Sequence, residues 1–370
     1  MELIRYDEVH KTHCTKAKEY IIRVAEDIEE EKSWMFREIE YFFEAIKLKF
    51  KFFPKIISKK SESFHIINIK KPRVADKVII LSISKAHGIT HTDTILKRTG
   101  LISLIFRDTF MLIDTAYLPN SEGSLVLSED MKTIYGILLP CTMSQQFEFG
   151  ILYTRILRGD YSLTPAPKIH EIFPSIVKVF AKMTGSGVSI SQNLIITNSH
   201  VAKNSKNIDI YAQDKKCEGK LKAAYNLIDL AKIEVERNIP IVEKAKEFIY
   251  GETVYAVGFG LFNPWELKCP IVTIGSLSKI VYYKNKPIAI QFTAQSFSGH
   301  SGGGVFNEKG ELIGIIVSNA REREGNIIPT LNLCIPHTVF EDEELLNDTD
   351  PFITDLFNYE TVRILPEPRL

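Results

Sequence analysis

The sequence has no excess of either charge, because its 46 lysines and arginines balance 46 aspartates and glutamates. A neutral chain has no general electrostatic attraction for nucleic acid or for an anionic membrane surface. It also lacks any apolar run of about 18 residues, the length that a membrane-spanning helix requires. We therefore expect no nucleic-acid partner and no membrane span.

Cysteine is scarce and irregularly placed. None of the close spacings of a metal site or a disulfide framework occurs among its copies, which are Cys14, Cys141, Cys217, Cys269 and Cys334. We predict free thiols in a reducing compartment and expect neither a metal nor another cofactor. The first residues carry acids and no apolar core, so we expect neither a secretory signal nor a transit peptide.

The clearest chemical signal is the segment Phe297–Gly304, in which Ser301 stands between glycines. Glycines let a carbonyl carbon approach a reactive hydroxyl, and they leave backbone N–H groups free to face a developing oxyanion. Upstream, His200 follows one apolar strand-like run and Asp229 precedes another. The order histidine, aspartate, serine is that of trypsin-fold proteases and differs from that of subtilisin and the α/β-hydrolases.

Each of these residues taken alone has an ordinary structural explanation, as a turn, a buried histidine or the start of a strand. Their joint occurrence at the ends of apolar runs favours a catalytic triad. We predict that His200 is the general base, that Asp229 orients its imidazole and that Ser301 is the nucleophile. The N–H groups of Gly299 and Ser301 are predicted to form the oxyanion hole. A pseudoprotease is the alternative.

A trypsin-like fold also predicts where the substrate binds. The residue six before the nucleophile lies at the floor of the S1 pocket in that fold, and here it is Gln295. A neutral floor leaves a buried cation uncompensated, so we do not expect cleavage after arginine or lysine. Ser318, Asn319 and Ala320 are predicted to pair with an extended substrate whose P1 residue is small or medium and uncharged.

The position before the nucleophile is His300, where secreted zymogens of this fold have an acidic residue. An acidic residue there would pair with a freed N-terminal amine after zymogen cleavage. Activation by a freed N-terminus is therefore not expected.

The predicted fold class is mainly β, and changes in periodicity divide the chain into four parts. Residues 1–60 have helical spacing and predict an N-terminal helical segment. Short β-type runs in residues 61–165 predict a degenerate trypsin-like β region. Residues 166–345 are predicted to be a trypsin-like serine protease domain of two Greek-key barrels, and residues 346–370 a C-terminal tail.

The first β region looks like an altered copy of the second. Val78–Leu81 corresponds to Val254–Val257, and Asn120–Ser124 corresponds to His300–Gly304, at a nearly constant offset. We expect the copy to be inert, because Glu122 replaces the glycine after the serine and nothing before it matches the histidine strand. Chance similarity between two β segments is the alternative.

Several segments after position 254 go beyond the general fold. They are Val257–Phe262, Gly299–Gly303, Gly314–Arg321 and Pro329–Pro336. Together they resemble the peroxisomal leader-peptide-processing proteases, trypsin-fold serine endopeptidases related to the HtrA and Deg proteases. The resemblance implies a peroxisomal matrix enzyme whose substrates are imported proteins with N-terminal targeting leaders.

The ending Pro368–Arg369–Leu370 is similar to the peroxisomal targeting tripeptide, apart from its proline. We predict that it binds the peroxisomal import receptor; a cytoplasmic location is the alternative. An HtrA-like quality-control protease and a catalytically silent peptide-binding scaffold are the competing functions. The sequence leaves the oligomeric state open, and a homodimer is one possibility.

Overall fold

The computed structural model describes residues 68–84, 94–152 and 167–357, with gaps at 107, 109, 117, 119–120, 122–123, 140–146, 203–204, 206, 262–263, 265–266 and 322–326. The predicted N-terminal helical segment and the C-terminal tripeptide lie outside the described residues. The chain divides into two compact units, Met1–Pro167 and Lys168–Leu370.

The described part of the first unit forms a seven-stranded sheet. Its strands are β1 (Asn68–Ile69), β2 (Lys77–Ser84), β3 (Thr94–Phe106), β4 (Phe110–Asp114), β5 (Leu125–Ser128), β6 (Thr133–Leu138) and β7 (Phe147–Leu152). The strand order is β1-β6-β5-β2-β3-β4-β7, and β7 also pairs with β6, so strands β2 to β7 close on themselves. We call this closed sheet barrel A. Its core contains Ile80, Met111 and Val126.

The second unit contains two closed barrels of six strands each. Barrel B consists of β8 (Ile176–Phe180), β9 (Thr184–Ser191), β10 (Leu194–Thr197), β11 (Ile208–Ala212), β12 (Lys215–Tyr225) and β13 (Leu230–Val235). Barrel C consists of β14 (Thr253–Gly258), β15 (Ile271–Tyr283), β16 (Lys286–Phe292), β17 (Gly304–Asn307), β18 (Leu312–Arg321) and β19 (Ile327–Pro336). The strand orders are β10-β13-β12-β11-β8-β9 and β14-β15-β16-β19-β18-β17.

The described helices of this unit are short. The α-helices are α1 (Ser199–Ala202), α2 (Glu343–Leu346) and α3 (Pro351–Phe357), and 3-10 helices cover Lys168–Ser175 and His337–Val339. Some strands alternate, as in β11, where buried Ile208 and Ile210 flank the partly exposed Asp209, whereas β4 is buried throughout. The predicted fold class, mainly β with barrels of the trypsin type, is confirmed.

Barrels A and C have the same strand connections. Replacing β2 to β7 in order by β14 to β19 converts one closed pairing scheme into the other. The strand register agrees as well: the pairs Val78–Gly100 and Val126–Gly136 match the pairs Val254–Gly275 and Val305–Gly314. The similarity seen in the sequence is therefore also a similarity of three-dimensional structure.

Two equivalent glycines show why these positions exclude a side chain. A Cβ atom added to Gly136 would lie 2.0 Å from the carbonyl oxygen of Ile151, and one added to Gly314 would lie 2.3 Å from that of Ile335. Distances this short would force the two strands apart. Both barrels therefore require glycine at the same point of close backbone approach.

The structure corrects one detail of the sequence alignment, in the loop before β5 and the loop before β17. The Ser124 N–H donates to the Ser121 carbonyl at 3.1 Å, as the Gly303 N–H donates to the His300 carbonyl at 2.8 Å. The strand pairs that follow have the same offset. Ser121 therefore occupies the place of His300, and its alignment with Ser301 was wrong by one residue.

Candidate active site

His200 and Asp229 come from neighbouring strands of barrel B. His200 lies in α1, just after β10, and Asp229 immediately precedes β13. Strands β10 and β13 are paired, with Thr197 opposite Ala231, so both residues lie at the same end of the barrel. The His200 Nδ1 and Asp229 Oδ2 atoms are 2.7 Å apart.

The Asp229 carboxylate is buried and receives further hydrogen bonds. The Ser199 hydroxyl and the His200 backbone N–H each donate to Oδ1 at 2.9 Å, and the Asn198 side-chain amide donates to the Asp229 backbone carbonyl at 3.0 Å. A carboxylate fixed in this way orients the imidazole with its Nδ1–H toward Oδ2, which leaves Nε2 as a proton acceptor. The sequence did not identify Ser199 or Asn198 as supporting residues, although both directly precede His200.

Ser301 lies in the loop before β17, and this loop contacts barrel B. The Ser186 backbone N–H donates to the Ser301 carbonyl at 2.8 Å. A Cβ atom added to Gly185 would lie 2.9 Å from that carbonyl and 2.8 Å from a methyl group of Val201, the residue after His200. The structure therefore brings the serine loop to the end of barrel B that carries His200.

The predicted oxyanion hole involves the backbone around Gly299. Among the described residues, none accepts a hydrogen bond from the Gly299 or Ser301 N–H. The Ser298 carbonyl accepts from the Leu261 N–H at 3.1 Å, and the N–H of the same planar peptide must point the opposite way. Gly299 has a φ of 93°, and a Cβ atom there would lie 2.5 Å from the Phe259 carbonyl, so the position requires glycine.

His300 is fully buried beneath this loop. Its Nδ1 accepts a hydrogen bond from the Phe297 N–H at 3.3 Å, and the His300 N–H donates to the Phe297 carbonyl at 2.9 Å. A Cβ atom added to Gly260 would lie 2.6 Å from the His300 ring, so the glycine makes room for the imidazole. Burial lowers the pKa of His300 to about 4. The side chain is therefore neutral at physiological pH and helps to fix the loop.

Gln295 lies between β16 and β17 of barrel C. It is buried, and its backbone carbonyl accepts a hydrogen bond from the Thr273 hydroxyl at 2.6 Å. The neighbouring Ala294 carbonyl accepts from the side-chain amide of Asn332, which is fully buried, at 2.8 Å. Thr273 and Asn332 therefore border the predicted pocket floor. The sequence gave no indication of them, because each comes from a different strand.

Ser318, Asn319 and Ala320 lie on β18. Asn319 is opposite Asn332 in the pairing of β18 with β19. No other described strand pairs with the outer edge of this segment. An unpaired edge can add an extended peptide as a further strand.

The described cysteines, Cys217, Cys269 and Cys334, are free thiols, as predicted. Burial raises the pKa of Cys269 to about 11, so this thiol is not a nucleophile at neutral pH. Among the residues that the structure describes, no group of three or more His, Cys, Asp or Glu side chains could bind a metal ion. None of the described helices has the length and apolar character needed to cross a membrane.

Residues 185–315 match the sequence model of the trypsin-like peptidase domain. This stretch of the chain is a trypsin-like peptidase domain. It contains His200, Asp229 and Ser301, and it extends from β9 of barrel B to β18 of barrel C. The match supports a serine endopeptidase.

The peptidase domain is similar to two groups of proteases. The chain is 35% identical over 179 residues to the peroxisomal leader peptide-processing protease of Homo sapiens. The aligned region covers 42% of this chain and 30% of that protein. It is also 30% identical over 168 residues to the serine endoprotease DegS of Haemophilus influenzae. That aligned region covers 43% of this chain and 48% of DegS. The crystal structure of the serine endoprotease from Yersinia pestis covers 50% of this chain and 68% of that chain, with 26% identity and a TM-score of 0.41.

The chain thus spans less than a third of the length of the human relative and under half of DegS. The resemblance predicted from the sequence is confirmed for the peptidase domain. That domain is related both to the peroxisomal processing proteases and to the HtrA and Deg proteases.

Proposed function

We propose that the peptidase domain hydrolyses peptide bonds with His200, Asp229 and Ser301 as a catalytic triad. The observation that supports this most directly is the 2.7 Å contact between His200 Nδ1 and Asp229 Oδ2, at the barrel end against which the Ser301 loop packs. An aspartate in this position selects the tautomer in which Nε2 is the base. A histidine that only packs in a hydrophobic core does not require a buried carboxylate at its Nδ1 atom.

Acylation begins when His200 Nε2 removes the proton from Ser301 Oγ. The Oγ atom then attacks the carbonyl carbon of the scissile bond, and the carbonyl oxygen becomes an oxyanion that accepts hydrogen bonds from the Gly299 and Ser301 N–H groups. The tetrahedral intermediate collapses when the His200 imidazolium donates its proton to the leaving amine. Asp229 stabilises the imidazolium throughout.

Deacylation repeats these steps with water as the nucleophile. His200 takes a proton from the water, the hydroxide oxygen attacks the acyl carbon, and the proton returns to Ser301 Oγ as the acid product leaves. For binding, we propose that Gln295 is the floor of the S1 pocket and that Ser318, Asn319 and Ala320 pair with the substrate backbone. The neutral polar side chains of Gln295, Thr273 and Asn332 support an uncharged P1 residue.

The substrates that we propose are imported peroxisomal matrix proteins with N-terminal leaders. The similarity of the peptidase domain to a protease named for that activity supports this proposal. We propose the peroxisomal matrix as the location, with Arg369 and Leu370 binding the import receptor. A fluorescent fusion with a free C-terminus should appear in peroxisomes, and deletion of Leu370 should leave it diffuse. A fusion that stays cytosolic even with Pro368→Ser would contradict this route.

The decisive experiment incubates the purified full chain with a leader-bearing precursor and identifies the new N-terminus by sequencing. A single cleavage after the leader, absent with the Ser301→Ala variant, supports the proposal. Degradation of unfolded casein with no specific cut in the precursor indicates a quality-control protease instead. Peptide binding without any product indicates a silent scaffold and refutes the proposed hydrolysis.

A further inference from the structure

Ser186 of β9 links barrel B to the serine loop of barrel C. Its hydroxyl donates to the Gly299 carbonyl at 2.7 Å and accepts from the Phe259 N–H at 2.8 Å. Its backbone N–H donates to the Ser301 carbonyl at 2.8 Å, and its carbonyl accepts from the Thr197 hydroxyl at 2.7 Å. A single residue of barrel B therefore contacts the loop on both sides of His300.

The surroundings leave Ser186 little freedom. The side chain is fully buried. A Cβ atom added to Gly258 would lie 3.0 Å from the Ser186 hydroxyl, and one added to Gly302 would lie 2.1 Å from the Ser186 carbonyl. A serine hydroxyl has one proton to donate, and in Ser186 that proton forms the hydrogen bond to the Gly299 carbonyl. The hydroxyl orientation is therefore set by the loop that it contacts.

The bond to Gly299 bears on the direction of the oxyanion donors. The peptide before Gly299 is fixed by the Leu261 N–H, and the peptide after it is fixed by the Ser186 hydroxyl. The Gly299 N–H belongs to the first of these peptides, and fixing the second as well sets the φ and ψ of Gly299, so that this N–H has one direction. Glycine at a φ of 93° would otherwise rotate easily, because it has no side chain to restrict it.

We propose that Ser186 is a positioning residue for the oxyanion hole. Its hydroxyl fixes the Gly299–His300 peptide, which lies between the peptides that carry the Gly299 and Ser301 N–H groups, so that both donors keep their direction before any substrate binds. The hole is then preorganised by a residue of the barrel that also carries His200. This inference rests on the proposed function, since it assigns a role within the same reaction.

The test compares Ser186→Ala with Ser189→Ala. Ser189 lies on the same strand and is equally buried, but its hydroxyl donates to the Ser191 carbonyl at 3.1 Å, within barrel B. The measurements are kcat and KM on a cleaved peptide and the rate at which a fluorophosphonate labels Ser301. For Ser186→Ala we expect kcat and the labelling rate to fall about 10- to 100-fold with KM within about twofold, because only the transition state uses the hole.

Ser189→Ala should keep wild-type kcat and labelling even if its unfolding midpoint falls as much as that of Ser186→Ala. Equal kcat values for the two variants, or a rise in KM alone, would overturn the proposal. If Ser186→Ala does not fold, Ser186→Cys retains a weaker donor and should give an intermediate kcat; wild-type kcat in that variant would overturn the proposal too. A wild-type chain that neither labels nor cleaves would instead refute the proposed function.

Discussion

Barrels A and C share their strand order and register, yet they stabilise the loop before the fourth strand of each barrel in different ways. In barrel C the loop before β17 is held by Ser186 of barrel B and by the buried neutral imidazole of His300. In barrel A, contacts between residues of the same barrel stabilise the loop before β5. The Ser121 hydroxyl donates to Glu148 at 2.5 Å, and Glu148 pairs with Arg98 at 2.7 Å.

The strand register shows what changed between the two barrels. Arg98 takes the place of Thr273, and Glu148 takes the place of Asn332. In barrel C these positions are neutral and border the predicted S1 floor, whereas in barrel A an ion pair occupies them. One barrel design thus contains either neutral polar side chains beside the proposed S1 floor or a buried ion pair.

The serines of the two loops give the largest expected difference. Ser301→Ala should lower kcat about 10⁴-fold or more, because the members of a triad act as a unit. Ser121→Ala should leave kcat unchanged, because Ser121 occupies the place of His300 rather than that of the nucleophile and its hydroxyl donates to Glu148. Peptide hydrolysis by both variants, measured beside the wild type, checks the contrast. Turnover that survives Ser301→Ala would refute the triad.

The ion pair of barrel A gives the next largest effect. Glu148→Ala removes a buried carboxylate and leaves the Arg98 guanidinium without its partner, so the free energy of unfolding should fall by about 3–5 kcal/mol. The double variant Arg98→Met with Glu148→Leu removes both charges, so its free energy of unfolding should fall much less. Urea denaturation monitors both variants. Equal losses would show that the pairing of the charges is not what stabilises barrel A.

His300 should give barrel C a dependence on pH that barrel A lacks at the equivalent Ser121. The folded chain keeps this imidazole neutral down to a pKa of about 4, whereas the unfolded chain protonates it near 6.5. The unfolded state therefore binds more protons between these values, and the free energy of unfolding should fall by about 3 kcal/mol as the pH drops through that window. His300→Asn keeps an acceptor at the position of Nδ1 and should abolish this part of the loss. A His300→Asn curve parallel to that of the wild type would contradict the assignment.

The loop of barrel A gives the smallest effect. Ser121→Ala removes one hydrogen bond to the buried Glu148 carboxylate, so stability should fall by about 1.5–3 kcal/mol. Ser128→Ala, at the last residue of β5, serves as a control because its hydroxyl donates to the exposed Asp130 carboxylate rather than to a buried one, and it also accepts from the Thr133 N–H. Thermal unfolding of both variants measures the difference. A Ser121→Ala variant as stable as the wild type would show that Glu148 finds another donor.

The sequence predicted the features that depend on neighbouring residues. Short apolar runs indicated the strands, and the short motifs around His200, Asp229 and Ser301 indicated residues that the structure brings to one end of the barrels. The repeat was visible because strand residues such as Gly136 and Gly314 face the same packing demand. The loop alignment slipped by one residue, since loop composition constrains register less than strand pairing does.

The contacts that the sequence did not predict join segments far apart in the chain. Ser186 and Gly299 meet only after barrels B and C have formed and docked. Asn332 reaches the pocket floor from a strand of its own. Neither Ser186 nor Asn332 carries a local sequence signal of its partner.

The bond from Ser186 to Gly299 also makes the order of the serine loop and the association of the two barrels linked equilibria. The coupling free energy between them is reciprocal, so that each favours the other to the same extent. A covalent inhibitor that occupies the proposed oxyanion hole should therefore slow amide hydrogen exchange in β9, although that strand belongs to the barrel that the inhibitor does not modify. Hydrogen exchange in β9, measured with and without the inhibitor, would therefore report how strongly barrels B and C associate.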